Sequence, residues 1–180
     1  MNMVTNSEFK DAMAKLASAV HVVTTDGVSG RHGFTASAVC SVTDAPPTLL
    51  VCMNGQARSY EHFVENQVLC VNTLTADQEE LSGVFSSSLD SDERFEHGDW
   101  ATLETGAPRL TSALVSFDCV IEAIHRVGTH SVFICKILAI HNNDAKHEGL
   151  VYFFRNYHKV GSFIANVEAT TQEAEQDVKS

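Results

Sequence analysis

Apolar positions along this chain fall mostly into short strand-like runs, and helical spacing is confined to a few stretches. Near the start, Phe9, Met13, Leu16 and Val20 recur at helical spacing, with Asn6 or Ser7 placed to cap the helix. Residues 19–25 are β-branched and apolar, and the turn signal Asp26-Gly27 follows them. Gly30-Arg31-His32-Gly33 closes that loop, and 34–42 reads as one returning strand. Pro46-Pro47 breaks the pattern before 48–53, an almost continuous apolar run that predicts a strand buried on both faces. A short helix over 59–66 and a strand over 68–74 come next. Thr75 and Gln78 have the spacing of a capping box, ahead of a helix face made by Leu81, Val84 and Phe85. Residues 86–99 are polar and predict a loop. Two long runs, 114–126 and 131–141, flank Val127-Gly128-Thr129-His130 and predict a hairpin. Residues 150–154 form the last predicted strand. From Glu168 the chain is polar and rich in Ala, Glu and Gln, a weak helix or a frayed tail.

Neither a repeat nor a linker interrupts this series. The reading is one domain over 1–180, with a core of about 9–160 and a polar tail over 168–180. Strands dominate and strand-helix alternation is sparse. The expected fold class is therefore mainly β, an antiparallel barrel with peripheral helices.

Charge narrows the functions. The 180 residues carry 12 Lys and Arg against 23 Asp and Glu, a formal charge of -11. Such a surface repels phosphate backbones and anionic membranes, so neither nucleic acid nor membrane is an expected partner. No apolar run approaches the roughly 20 residues of a membrane helix, and the polar first ten residues do not read as a leader. Cys40, Cys52, Cys70, Cys119 and Cys135 are odd in number, widely spaced and set in apolar runs. They read as buried, reduced thiols of a cytoplasmic protein.

Generic chemistry motifs are missing from the sequence. There is no phosphate loop, and Gly27, Gly30 and Gly33 do not make the dinucleotide fingerprint. No histidine pair has metal-site spacing, so no metal is expected. The acids Glu79-Glu80 and 90–93 read as solvated faces. Arg155, Tyr157 and His158 follow an apolar strand. They are either a strand end entering solvent or groups around a charged ligand. The stretch 33–42 interleaves small and hydroxylated residues, Thr35, Ser37, Cys40 and Ser41 among them. It is either a tightly packed barrel strand or a surface along which a planar ligand can approach the backbone.

Five pieces in order give these residues a family resemblance. They are Phe9-Lys10-Asp11-Ala12-Met13 with Val22-Val23-Thr24-Thr25; the 33–42 stretch with Pro46-Pro47; Cys70-Val71-Asn72 with Leu74; Glu93-Arg94-Phe95 with Trp100; and Val127-Gly128-Thr129-His130 with Leu150-Val151-Tyr152-Phe153. Together they resemble the flavin reductase-like proteins, most closely the small NADH:flavin oxidoreductase components of two-component aromatic monooxygenases. The resemblance implies a homodimeric split β-barrel of the FMN-binding type, with flavin near the subunit interface. It implies an enzyme that uses NADH or NADPH to reduce free FMN or FAD. The reduced flavin diffuses to a separate oxygenase acting on an aromatic compound. It also implies the residue roles. Thr35, Ala36, Ser37 and Ala38 lie along the isoalloxazine edge. Cys40 and Ser41 continue toward the ribityl and phosphate. Asn54, Arg58 and Ser59 help hold the phosphate, and Asn72 and Thr73 bond the flavin's polar side. Tyr152, Arg155, Tyr157 and His158 border the site. His130 is the catalytic candidate near the nicotinamide; Thr129 stands where many relatives have an acid, which removes a His–Asp pairing. For a 2′-phosphate, Arg31 and Arg126 are the available cations. The same fold also hosts flavin-binding electron carriers without NADH turnover and pyridoxamine-phosphate oxidases, and an interaction protein that has lost the site is a further reading. No basic cluster suits pyridoxal phosphate. Thr35, Ser37, Asn72 and His130 are intact, which speaks against a lost site.

Overall fold

The computed structural model describes residues 3–145 and 148–161. His147 and the expected tail over 168–180 lie outside them. The elements are α1 (Asn6–Met13), β1 (Ser18–Ala19), β2 (His21–Thr25), β3 (His32–Ala36), β4 (Val39–Asp44), β5 (Pro47–Asn54), α2 (Tyr60–Asn66) and β6 (Val68–Thr73). They continue with α3 (Glu79–Ser86), α4 (Ser91–Phe95), β7 (Trp100–Ala101), β8 (Arg109–Leu110), β9 (Val115–Val127), β10 (His130–Asn142), β11 (Gly149–Phe153) and β12 (Asn156–Val160). Seven strands make one antiparallel sheet in the order β3-β2-β6-β9-β10-β5-β4.

That order dictates the shape. β3 and β4 are the two outer strands of the sheet, yet only Ser37 and Ala38 separate them in the chain. Two residues can join opposite edges only if the sheet has rolled round until its edges meet. The stretch 34–42, expected as one strand, is therefore two, and the small side chains at 37–38 let the chain change edges. The Ala38 carbonyl accepts from Cys52 N–H at 2.9 Å, which ties the kink to β5.

Alternation along the strands splits the core in two. Val23, Leu49, Val51, Met53, Phe63, Val71 and Phe133 fill the rolled sheet. Val20, Val22, Leu74, Phe85, Phe95 and Leu110 pack a second cluster on its outside, under α3 and α4. β2 has a residue in each cluster at alternate positions, so all five of its residues are buried. A Cβ on Gly33 would lie 2.8 Å from Phe85 Cε1, so the missing side chain is what lets α3 settle on β3.

Several boundaries differ from expectation. Thr5, with Glu8 reciprocating, caps α1, one residue ahead of Asn6. α1 buries none of its residues: Phe9 is 59% exposed and Met13 46%. Val20 lies beyond that helix, buried beside β2. β5 hides Leu49, Val51 and Met53 but leaves Leu50 and Cys52 half-exposed, so it is buried on one face rather than two. Half of the expected capping box forms: Gln78 Oε1 accepts from Thr75 N–H at 2.8 Å, but the Thr75 hydroxyl bonds Asp77 and α3 begins only at Glu79. The supposed loop over 86–99 contains α4, whose own capping box pairs Asp90 with Glu93. The expected hairpin is β9 and β10, turning at Gly128 with φ +58°. A strand follows the one expected last: β11 and β12 pair through a turn in which Phe154 and Arg155 have φ +50° and +60°. All five cysteines are free thiols, but Cys40 is exposed, not buried.

His21 gives a pH prediction. It is 8% exposed, its Nδ1 lies 3.1 Å from Thr73 Oγ1, and burial pushes it down to about 4 from its ordinary 6.5. The fold therefore prefers the neutral ring, and the unfolded chain binds the extra proton. Stability should fall as pH drops through 6.5 and level off from this source near 4, a span of up to about 3 kcal/mol. Urea unfolding at pH 7 and pH 4.5 measures it. His21→Asn should show the smaller difference between the two conditions; an equal difference would acquit His21.

Candidate functional site

Two recesses flank β3. The first is a cleft of about 370 Å³ lined by His32, Phe34, Arg58, Ser59, His62, Arg94 and the loop over 86–91. Arg94 organises it. Its Nη1 donates to Gly33 C=O at 2.9 Å, Nη2 to Ser87 C=O at 2.7 Å and Nε to Leu89 C=O at 3.0 Å. Arg58 reaches the same loop from the other wall, donating to Ser88 C=O at 2.8 Å. Burial and then the Arg58 charge hold Arg94 below its ordinary pKa, so the two guanidiniums feel each other. The nearest acid to Arg58 is the exposed Asp90, at 3.8 Å. Ser59, which precedes α2, is buried and makes no capping bond with its hydroxyl. Two cations and an uncommitted hydroxyl in a recess make an anion-binding donor set, on a protein whose overall charge is strongly negative.

The second recess lies at the β3–β4 kink. Thr35, Ala36, Ser37, Tyr152 and Tyr157 line a niche there, which shares Ser37 and Tyr152 with a groove bordered by Phe9, Met13, Ala38 and Arg155. The rings of Tyr152 and Tyr157 meet edge to face at 5.2 Å. From His32 in the cleft to Ser37 in the niche is about 16 Å along the strand.

Of the expected site residues, the structure brings Arg58 and Ser59 together in the cleft. It gathers Thr35, Ala36, Ser37, Ala38, Tyr152, Arg155 and Tyr157 around the kink. Asn54 and His130 pair across β5 and β10 in a third, exposed place. There His130 Nδ1 lies 2.9 Å from Thr129 Oγ1. Some details depart from the expected roles. Thr35 donates its hydroxyl hydrogen to Ser82 C=O at 2.7 Å, which leaves only its lone pairs for a ligand. Arg155 is paired with Asp11, and His158 Nε2 lies 3.1 Å from Phe153 C=O. Cys40 and Ser41 are exposed on β4 and line neither recess.

Asn72 and Thr73 are buried in the core. Asn72 is fully buried. Its Oδ1 accepts from Leu110 N–H and Ser116 Oγ, both at 2.9 Å, and its Nδ2 donates to Val22 C=O at 3.1 Å and Thr24 Oγ1 at 3.3 Å. No hydrogen-bonding capacity is left for a flavin. Thr73 is held by His21. Arg31, one of two cations considered for a 2′-phosphate, lies over the Phe95 ring at 4.5 Å.

A family model described as a flavin reductase-like domain matches residues 13–161. The chain belongs to the flavin reductase-like family. A relative from Pantoea ananatis named FMN reductase (NADH) RutF is 53% identical over 162 residues, 90% of this chain and 85% of its own. Among solved structures, BorF, the flavin reductase component of a bacterial two-component tryptophan halogenase, is 27% identical. Its TM-score is 0.81, with 88% of this chain and 100% of BorF covered. The flavin reductase of a Pseudomonas putida S12 styrene monooxygenase is 26% identical, with a TM-score of 0.77, and 87% and 99% covered. The rolled, mainly β sheet is the fold of this flavin reductase-like family.

A flavin mononucleotide has an anionic end and a flat aromatic end, and the donor sets here suit both. Arg58, Arg94 and Ser59 match a phosphate. The small residues of 36–38 and the two tyrosines offer backbone and ring surface for a flat group. Arg94 was missing from the expected site. The motif Glu93-Arg94-Phe95 contained it, but in a stretch read as a polar loop nothing indicated that its guanidinium turns inward. His32 and His62 were missing for the same kind of reason, since only α2 packing beside β3 joins them.

Proposed function

We propose that this chain is an NADH-dependent FMN reductase that hands reduced flavin to a separate oxygenase by diffusion. The observation that carries the reading is the cleft with two guanidiniums at one end of β3 and the flat-walled niche at the other. The 53% identical relative named FMN reductase (NADH) RutF favours FMN over FAD and NADH over NADPH. Bound flavin supplies the redox chemistry, accepting a hydride at N5 from nicotinamide C4. The protein's part is placement. Arg58, Arg94 and Ser59 hold the phosphate, and the kink positions the ring. His130, exposed at the β9–β10 turn, borders the nicotinamide and lends a donor. Tyr152 and Tyr157 shield the niche from water.

Homodimerisation is part of the proposal. On the outer face of the sheet, Cys40, Leu50 and Ile134 stand side by side across β4, β5 and β10, with Cys52 beside Val132. Cys40 is exposed and the other four are half-buried. A second copy would cover that strip. Light scattering should give a dimer, and Ile134→Lys should shift it toward monomer; a wild-type monomer would refute this. The cytoplasm is the proposed setting. It supplies NADH and keeps five free thiols reduced. Among the described residues, no helix is long and apolar enough to cross a membrane.

The test is to mix protein, NADH and FMN in air and follow NADH absorbance. Turnover that rises with added FMN supports the reductase. Flavin retained through desalting, without turnover, means an electron carrier instead. His130→Ala should lower kcat/KM for NADH by about 10- to 100-fold with FMN affinity unchanged. An unchanged kcat/KM would remove His130 from the mechanism.

A further inference from the structure

His32 in β3 and His62 in α2 stack with ring centroids 3.4 Å apart and planes 19° from parallel. Both line the cleft of Arg58 and Arg94. His62 Nδ1 lies 2.7 Å from Ser29 C=O and 2.8 Å from Ser29 Oγ. A carbonyl only accepts, so Nδ1 carries a hydrogen and Nε2 is the ring's open nitrogen. Two rings in such contact resist holding two protons at once, because the charges would be face to face. The charged groups facing His32 are Arg94 and Asp92 from α4 and Asp26 from the β2–β3 loop. Burial first, then His62 and Arg94, hold His32 below its ordinary pKa, while the two aspartates pull the other way. Asp92 is itself shared with Arg31 at 3.9 Å.

We infer that the stacked imidazoles are a proton-linked wall of the anion cleft, taking up a proton when a dianionic phosphoryl group sits at Arg58 and Arg94. The inference rests on the reading that this cleft takes the phosphate of the flavin. A dianion there offsets the repulsion between Arg94 and an imidazolium. Linkage then runs both ways: protonating the pair tightens the anion, and the anion raises the pair's affinity for a proton. His32 and His62 thus become binding residues for the phosphorylated end of the ligand. The enzyme grips that end harder as pH falls.

Inorganic sulfate is the probe, because it stays a dianion across the range whereas a phosphate monoester titrates within it. Proton NMR of the imidazole signals from pH 5 to 8, without and with saturating sulfate, reads the linkage on the unmodified protein. The titration midpoint of the pair should rise by about 0.5–1 unit with sulfate, and sulfate should bind about three- to tenfold tighter at pH 5.5 than at pH 8. His97 serves as the internal reference. In the His32→Gln/His62→Gln protein the pH dependence of sulfate binding should disappear. If sulfate binding depends on Arg94, as tested by Arg94→Gln, but the midpoint does not move, the inference is wrong and the phosphate reading of the cleft stands. If sulfate does not bind, or binds equally to Arg94→Gln, the cleft reading fails and takes the inference with it.

Discussion

Replacing Arg94 by alanine is expected to weaken FMN binding by about 30- to 150-fold, the value of a charge-assisted contact of 2–3 kcal/mol. The expectation has two sources. The guanidinium is one of two cations in the cleft, so a phosphate loses a direct partner. It also fastens the cleft wall, because its three donating nitrogens hold the carbonyls of Gly33, Ser87 and Leu89. Without it the loop over 86–90 keeps the Arg58 bonds to Ser88 and Leu89 and its own short-range bonds, such as those from Ser87 N–H and Oγ to Val84 C=O. Arg94→Lys retains a charge but cannot reach three carbonyls in a fork, so it should recover only a minor part of the affinity. Fluorescence titration with FMN and with riboflavin, which lacks the phosphate, separates the two ligand ends. The loss should be large for FMN and small for riboflavin. Equal losses for both would mean that Arg94 acts only through the wall, and no loss for either would remove the cleft from the flavin site.

The second large effect is on folding. Asn72→Ala should cost about 3 kcal/mol or more, because it strands the Leu110 N–H and the Ser116 hydroxyl in the core and leaves a void. Asn72 connects β6 to β2, to β9 and to the segment leading into β8, so one side chain staples three neighbours of the second core cluster. Urea unfolding should show the loss, while FMN affinity measured well below the midpoint stays within about twofold of wild type. If stability were intact and FMN binding were lost, Asn72 would be a ligand residue after all. Thr73→Val should be milder, since it removes only the partner of His21 Nδ1.

These two residues mark how far the sequence could be read. Arg94 and Asn72 both lie in motifs that carry the family resemblance. Asn72 was assigned to the ligand and Arg94 to no role. The structure buries Asn72 in the core and turns Arg94 toward the cleft. Strand alternation places Asn72 on a buried face, but alternation cannot say whether a buried amide meets a flavin or other backbone groups. That is decided by the carbonyls and amides that fold in from Val22, Leu110 and Ser116, up to 50 residues away along the chain. Arg94 lies in the 86–99 stretch, which reads as a polar loop. A five-residue helix capped by Asp90 turns it inward, and propensity over so short a stretch is too weak to predict the turn.

Local chemistry in the chain settled a good deal on its own. β-branched runs and turn residues placed most strands, and the long β9–β10 hairpin followed from two apolar runs around Gly128. The ordered motifs identified the flavin reductase-like family. The helix-forming spacing near the start located α1, because that signal is also local. Tertiary structure decided the rest. That one run of small residues is two strands at opposite sheet edges follows from the rolling of the sheet, to which every strand contributes. That Phe154 and Arg155 turn the chain into β12 requires positive φ at two residues that rarely adopt it, so no turn signal existed to read. The cleft itself is made by β3, α2 and α4, three elements whose meeting is set by packing in both core clusters. Sequence spacing carries periodicity within an element; it carries no distance between elements, and binding sites are built from those distances.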